Sequence, residues 1–110
     1  MAFVHTQLAA GRWHMLSLAE QLGNIGSEVS RAIKWRGQDA RLYQGAIDRA
    51  LELFDLTLTD PRWRGARLRE IARAREVLCD AITGGAAYGS SLKDMDKYLL
   101  SFALLARREM

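Results

Sequence analysis

The chain is 110 residues long and 49% hydrophobic, enough for the core of one compact domain over residues 1–110 without suggesting a membrane protein. Sixteen Lys and Arg against thirteen Asp and Glu leave a net charge of +3, a basic excess that permits a nucleic-acid partner but does not require one. Cys79 is the only cysteine, which excludes an intrachain disulfide, suits a reducing cytoplasm and reads as a buried structural thiol.

The amino terminus has no basic stretch followed by an apolar signal core, and the longest mostly apolar run, Tyr98 to Ala106, is too short to span a bilayer. A cytoplasmic protein without a membrane partner is expected. Strand patterns are absent, because no stretch alternates apolar and polar residues for long and no Asn-Gly or Asp-Gly turn occurs. The fold expected is all-α, a four-helix up-down bundle.

The first helix is predicted from Gln7 to Trp35, stopping near Gly37. Leu8, Met15, Leu18, Leu22, Ile25, Val29 and Ile33 form its core face, while Trp13 and Trp35 project near the opposite side, among Glu20, Asn24, Glu28 and Arg31. Those tryptophans have no obvious place in a monomer's core and point to an interface between copies. Ala19, Gly23, Gly26 or Ser27, and Ser30 make a strip of small residues along one flank. Each helical glycine costs about 1 kcal/mol relative to alanine, which a close helix crossing would offset. The alternative is a break at the LGNIG stretch.

The second helix is predicted from Asp39 to Leu58. Asp48, Glu52 and Asp55 share one flank of it, and Glu76 and Asp80 follow on the third helix, an arrangement reminiscent of Mg-dependent all-α nucleotide hydrolases. The simpler expectation is that these acids meet the arginines of the third helix.

The third helix is the best marked, with Asp60 as N-cap, Pro61 at the first helical position and Gly84-Gly85 as the stop. Arg64, Leu68, Ile71, Arg75, Leu78 and Ile82 follow one another along one seam. Arg75, between Leu68 and Ile82, has no exit to water in a closed bundle and is expected to pair with an acid from another helix or subunit. Arg62, Arg69 and Arg73 line the outward side, and Trp63, Arg64 and Arg67 cluster at the amino-terminal end. Guanidinium groups fork to phosphate and an indole stacks a base, so Arg62, Arg64, Arg67, Arg69 and Arg73 are the candidate phosphate contacts, with Trp63 as the stacking platform.

After the GGAAYGS loop, Ser91 caps the last helix with Asp94 in the reciprocal position of a capping box. Met95, Tyr98, Leu99, Phe102 and Ala106 form its core stripe, and Leu100 and Leu104 sit on the reverse. A helix apolar on both sides is buried on both sides, so a second subunit is expected there.

Catalytic and metal motifs are missing. Only His5 and His14 exist, neither lies three residues after a glutamate as di-iron bundles need, and a single cysteine cannot complete a zinc site. GGAAYG lacks the Lys-Ser/Thr ending of a phosphate loop. Helical-bundle nucleases of the HEPN type place a histidine four to six residues after an arginine, and Arg12 and His14 are too close together for that. No catalytic residue, metal or cofactor is expected.

The strings SLAEQLGNIGSEVSRAIKW, AIDRALELFDLTLTDPRWR and RLREIARAREVLCD resemble a family of small uncharacterised prokaryotic helical proteins over most of the chain, a resemblance that implies fold and no function. In architecture alone the chain is similar to small basic four-helix accessory factors that bind nucleic acid, including the ring-forming accessory proteins of diversity-generating retroelements. That likeness carries no motif, so no residue role comes from it. The function expected is non-enzymatic: a homo-oligomer that presents an Arg-rich helix to RNA or DNA, or to a protein encoded nearby, as an accessory or scaffold. Mg-dependent nucleotide hydrolysis and a purely structural interaction bundle are the alternatives.

Overall fold

The structure, a computed structural model, describes residues 6–108, with side chains from residue 10 onward. His5 and the side chain of Leu8 lie outside the described residues. The described residues form five helices: α1 (Thr6–Trp13), α2 (Leu18–Trp35), α3 (Ala40–Leu58), α4 (Ala66–Ile82) and α5 (Leu92–Arg108). Strands are absent among the described residues, and no helix there is long and apolar enough to cross a membrane.

The first correction is the number of helices, five in place of four, because the chain breaks between Trp13 and Leu18 and not at LGNIG. Ser17 starts α2 with a complete capping box: its hydroxyl accepts from Glu20 N, and Glu20 Oε1 accepts from Ser17 N. The break turns Trp13 inward. It is 8% exposed and its Nε1 donates to Thr57 Oγ1 at 2.8 Å, so the expectation that Trp13 lacks a place in the monomer's core is corrected. Met15 is corrected in the opposite sense: it falls in the turn and is 84% exposed, outside the core face assigned to it.

α2 is the central helix, packed along α3 on one side and α5 on the other. Its small residues explain the α5 contact. A Cβ at Gly23 would stand 2.9 Å from Ala103 Cα, and one at Gly26 would stand 2.8 Å from Leu99 Cβ, so both glycines are sites of close helix approach and α2 runs through them unbroken. The residue order, Gly23 at Ala103 and Gly26 at Leu99, makes the two helices antiparallel. Gly23→Ala is expected to lower the melting temperature despite the roughly 1 kcal/mol of helix propensity it gains, because the backbone of α5 must move; overpacking of this kind costs about 1–3 kcal/mol.

α3 begins where expected, with Asp39 Oδ1 accepting from the Arg41 and Leu42 N–H groups. α4 does not. The Asp60–Trp63 segment is a turn, and the helix starts at Ala66 after Gly65, whose φ of 59° a side chain rarely adopts. Asp60 does accept a nearby backbone N–H, that of Arg62 at 3.0 Å, but as an Asx turn and not as the α4 N-cap. The Gly84-Gly85 stop holds, with Gly85 N donating to Asp80 O. Asp80 also holds the following loop through Ala87 N and Tyr88 N, and Ser91 with Asp94 forms the expected reciprocal cap of α5. The core closes around Phe54, Ile25, Ile47, Val29, Leu78 and Leu99.

Candidate functional site

Polar groups gather at the end of the molecule where the α1–α2 break, the carboxyl end of α3 and the α3–α4 turn meet. Gln21 is fully buried and all of its amide is used: Nε2 donates to Trp13 O at 2.8 Å and Asp60 Oδ2 at 3.0 Å, and Oε1 accepts from Trp63 Nε1 at 2.9 Å. Asp60, 2% exposed, takes a forked contact from Arg62, whose Nε lies 3.0 Å from Oδ1 and Nη2 2.7 Å from Oδ2. Burial pushes the Asp60 carboxyl up, but hydrogen bonds from the Arg62 side chain and backbone and from Gln21 outweigh it and bring the pKa down to about 2. The same partnership raises the pKa of Arg62. His14 Nε2 donates to Leu56 O at 3.0 Å and joins Thr59 Oγ1 to the cluster.

This network redistributes the candidate phosphate contacts. Arg62 is held by Asp60 and also donates to Leu16 O, so it stands in the framework of the turn and not on the outward side of a helix. Trp63 is half-buried against the core, donates to Gln21, and carries the guanidinium of Arg62 at 4.5 Å and that of Arg67 at 5.9 Å from its ring centre. Its indole already has stacking partners within the chain. Arg64 donates Nε to Pro61 O and is otherwise exposed. Arg69 and Arg73 are exposed and form no ion pair among the described residues, on the outward stripe of α4 that continues into Glu76 and Asp80.

Helix direction adds two residues that sequence reasoning missed. Arg67, Phe102 and Leu18 line one cleft, and Glu70 faces Tyr98, so α5 runs antiparallel to α4 and ends beside its start. Arg107 and Arg108, exposed in the last turn of α5, therefore lie at the same end of the molecule as Arg64 and Arg67. The amino terminus of α4 adds its own positive dipole. No linear pattern signals this; it appears only once the helices are set against each other.

Arg75 meets an acid of another helix of the same chain. Its Nε lies 2.9 Å from Asp55 Oδ1 without being aimed for a hydrogen bond, Nη2 donates to Oδ2 at 3.4 Å, and Nη1 reaches the half-buried Cys79 Sγ at 3.7 Å. Asp55 is largely in water, so the pair is weak, and Arg75→Met is expected to change stability by less than about 1 kcal/mol in urea unfolding. Of the interface candidates, Trp35 is half-buried beneath Lys34, whose Nζ lies 5.1 Å from its ring, whereas Leu100 and Leu104 are 51% and 49% exposed.

The carboxylates that a hydrolase needs are dispersed. Asp48 accepts from Gln44, Asp55 faces Arg75, Glu76 accepts from the Tyr88 hydroxyl, and Asp80 holds the loop after α4. Among the described residues no three His, Cys, Asp or Glu side chains are placed to hold a metal ion. A cavity of about 370 Å³ is an open groove between α4 and α5 with an apolar floor of Ala74, Val77 and Met95 and a rim of Glu70, Arg73 and Asp94. Compared with protein-family models, with curated proteins and with solved structures, the chain matches none.

Proposed function

We propose that this protein is a non-enzymatic, self-associating cytoplasmic scaffold whose basic end binds a polyanion, nucleic acid first among them. Its four long helices read as an up-down bundle, with α1 as an added turn that seals one end. The observation that carries the reading is that Arg64 and Arg67 at the start of α4 and Arg107 and Arg108 at the end of α5 stand at one end of the molecule, none with an ion pair among the described residues. Four other arginines are ion-paired within the chain: Arg62 with Asp60, Arg75 with Asp55, and Arg31 and Arg49 with the buried Glu28. Exposed arginines without ion pairs at the end where α4 begins and α5 stops fit a surface open to anions.

The test is fluorescence polarisation with labelled single-stranded RNA and duplex DNA at 50 mM and 200 mM salt. Binding at the lower concentration that weakens steeply at the higher one is expected. No binding at 50 mM salt, or binding indifferent to salt, would overturn the proposal.

A further inference from the structure

Two faces of α5 are left open by the described residues. Leu100 and Leu104, one turn apart and half-exposed, stand on its outer side among the exposed Lys93, Lys97 and Arg108. Roughly a third of a turn around the helix, Asp94, Met95 and Tyr98 form one wall of the open groove against α4. The outer face is apolar with a basic border. The groove is apolar with a rim of two acids, Glu70 and Asp94, and one cation, Arg73.

We infer that the outer face of α5, led by Leu100 and Leu104, docks into the α4–α5 groove of a second copy, so that copies join head to tail. The inference rests on the self-association in the function proposed above and names its geometry. Charge selects this pairing over the symmetric one. Two α5 helices laid antiparallel through Leu100 and Leu104 would bring Lys97 of each copy against the carboxyl-terminal arginines of the other, which is repulsive. In the head-to-tail arrangement the lysines meet Glu70 and Asp94, and the leucines meet the apolar floor. The cavity, about 370 Å³, lies within the range of pockets that seat bulky apolar groups. Because the two faces differ, each copy has one of each, and the assembly either closes as a ring or grows as a filament.

The experiment uses two full-length variants and light scattering. Leu100→Asp with Leu104→Asp removes the inserting face and leaves the groove; Glu70→Lys with Val77→Lys blocks the groove and leaves the inserting face. Circular dichroism checks folding, and Glu70→Lys alone serves as the groove variant if the double substitution unfolds the chain. The parent is expected to form a multi-chain species and each variant alone to be monomeric, with self-affinity lowered at least about 100-fold. Mixed one to one, the variants should form a two-chain species and stop there, since each such pair holds a single intact contact. A groove variant that keeps the parental mass overturns the head-to-tail geometry while self-association stands. A parent that stays monomeric at 1 mM overturns both, and leaves nucleic-acid binding to be judged by its own salt titration.

Discussion

Asp60→Ala should be the most destabilising single polar substitution in this protein, lowering the unfolding free energy by about 3–5 kcal/mol. That is a large part of the 5–15 kcal/mol typical of a domain. The carboxylate is 2% exposed, and its removal leaves Gln21 Nε2 and the Arg62 guanidinium short of an acceptor. Equilibrium urea unfolding measures it, and a decrease below about 1 kcal/mol would show that water or a rearranged turn satisfies those donors. A pH dependence accompanies the substitution. The folded-state pKa of Asp60, about 2, lies below its ordinary 3.8, so its contribution is fully present above about pH 4 and disappears as the pH falls toward 2. The shift corresponds to about 2 kcal/mol. Asp60→Asn should therefore flatten the acid limb of the stability profile over that interval.

Exchanging Arg64, Arg67, Arg107 and Arg108 together for Gln should weaken RNA binding at 50 mM salt at least about 100-fold. The slope of log affinity against log salt should become shallower by about 0.7 for each phosphate of a single strand that an arginine no longer neutralises. All four side chains are exposed, so the variant should melt close to the parent. Arg69→Gln with Arg73→Gln should do less, because the same stripe of α4 carries Glu76 and Asp80. Arg62→Gln should behave in the opposite way, losing stability through Asp60 while retaining most of the binding. If the four-fold variant binds as the parent does, the basic end is not the binding surface.

Helix content, the α3 cap, the Gly-Gly stop and the Ser91 cap are legible in the sequence because each depends on residues within a few positions of one another. Gly23 and Gly26 are legible for a different reason: a glycine pair inside an otherwise helical pattern implies something pressed against it. The break before α2 is hidden, although Ser17-Leu-Ala-Glu20 carries the same signal as Ser91 and Asp94, because the apolar spacing of Leu8, Met15 and Leu18 runs straight across it. Asp60 resembles an N-cap because Asp-Pro commonly opens a helix; Gln21, far away in the chain, captures the carboxylate and makes the segment a turn. Burial of Trp13 follows from that same long-range closure. The basic end is half legible: Arg64 and Arg67 share a helix start, whereas Arg107 and Arg108 join them only through the antiparallel placement of α5.

The glycine contacts of α2 also decide what α5 shows to the outside. With Ala103 seated on Gly23 and Leu99 on Gly26, α5 can neither slide nor roll without driving a larger side chain into a backbone that has no room for it. Its azimuth is locked, and Leu100 and Leu104 are thereby held in water even though they are the kind of residue a freely rolling helix would tuck away. The outer leucines are a consequence of register and not of slack near a chain end, so widening the crossing at Gly23 should alter the proposed docking between copies without touching a single surface residue.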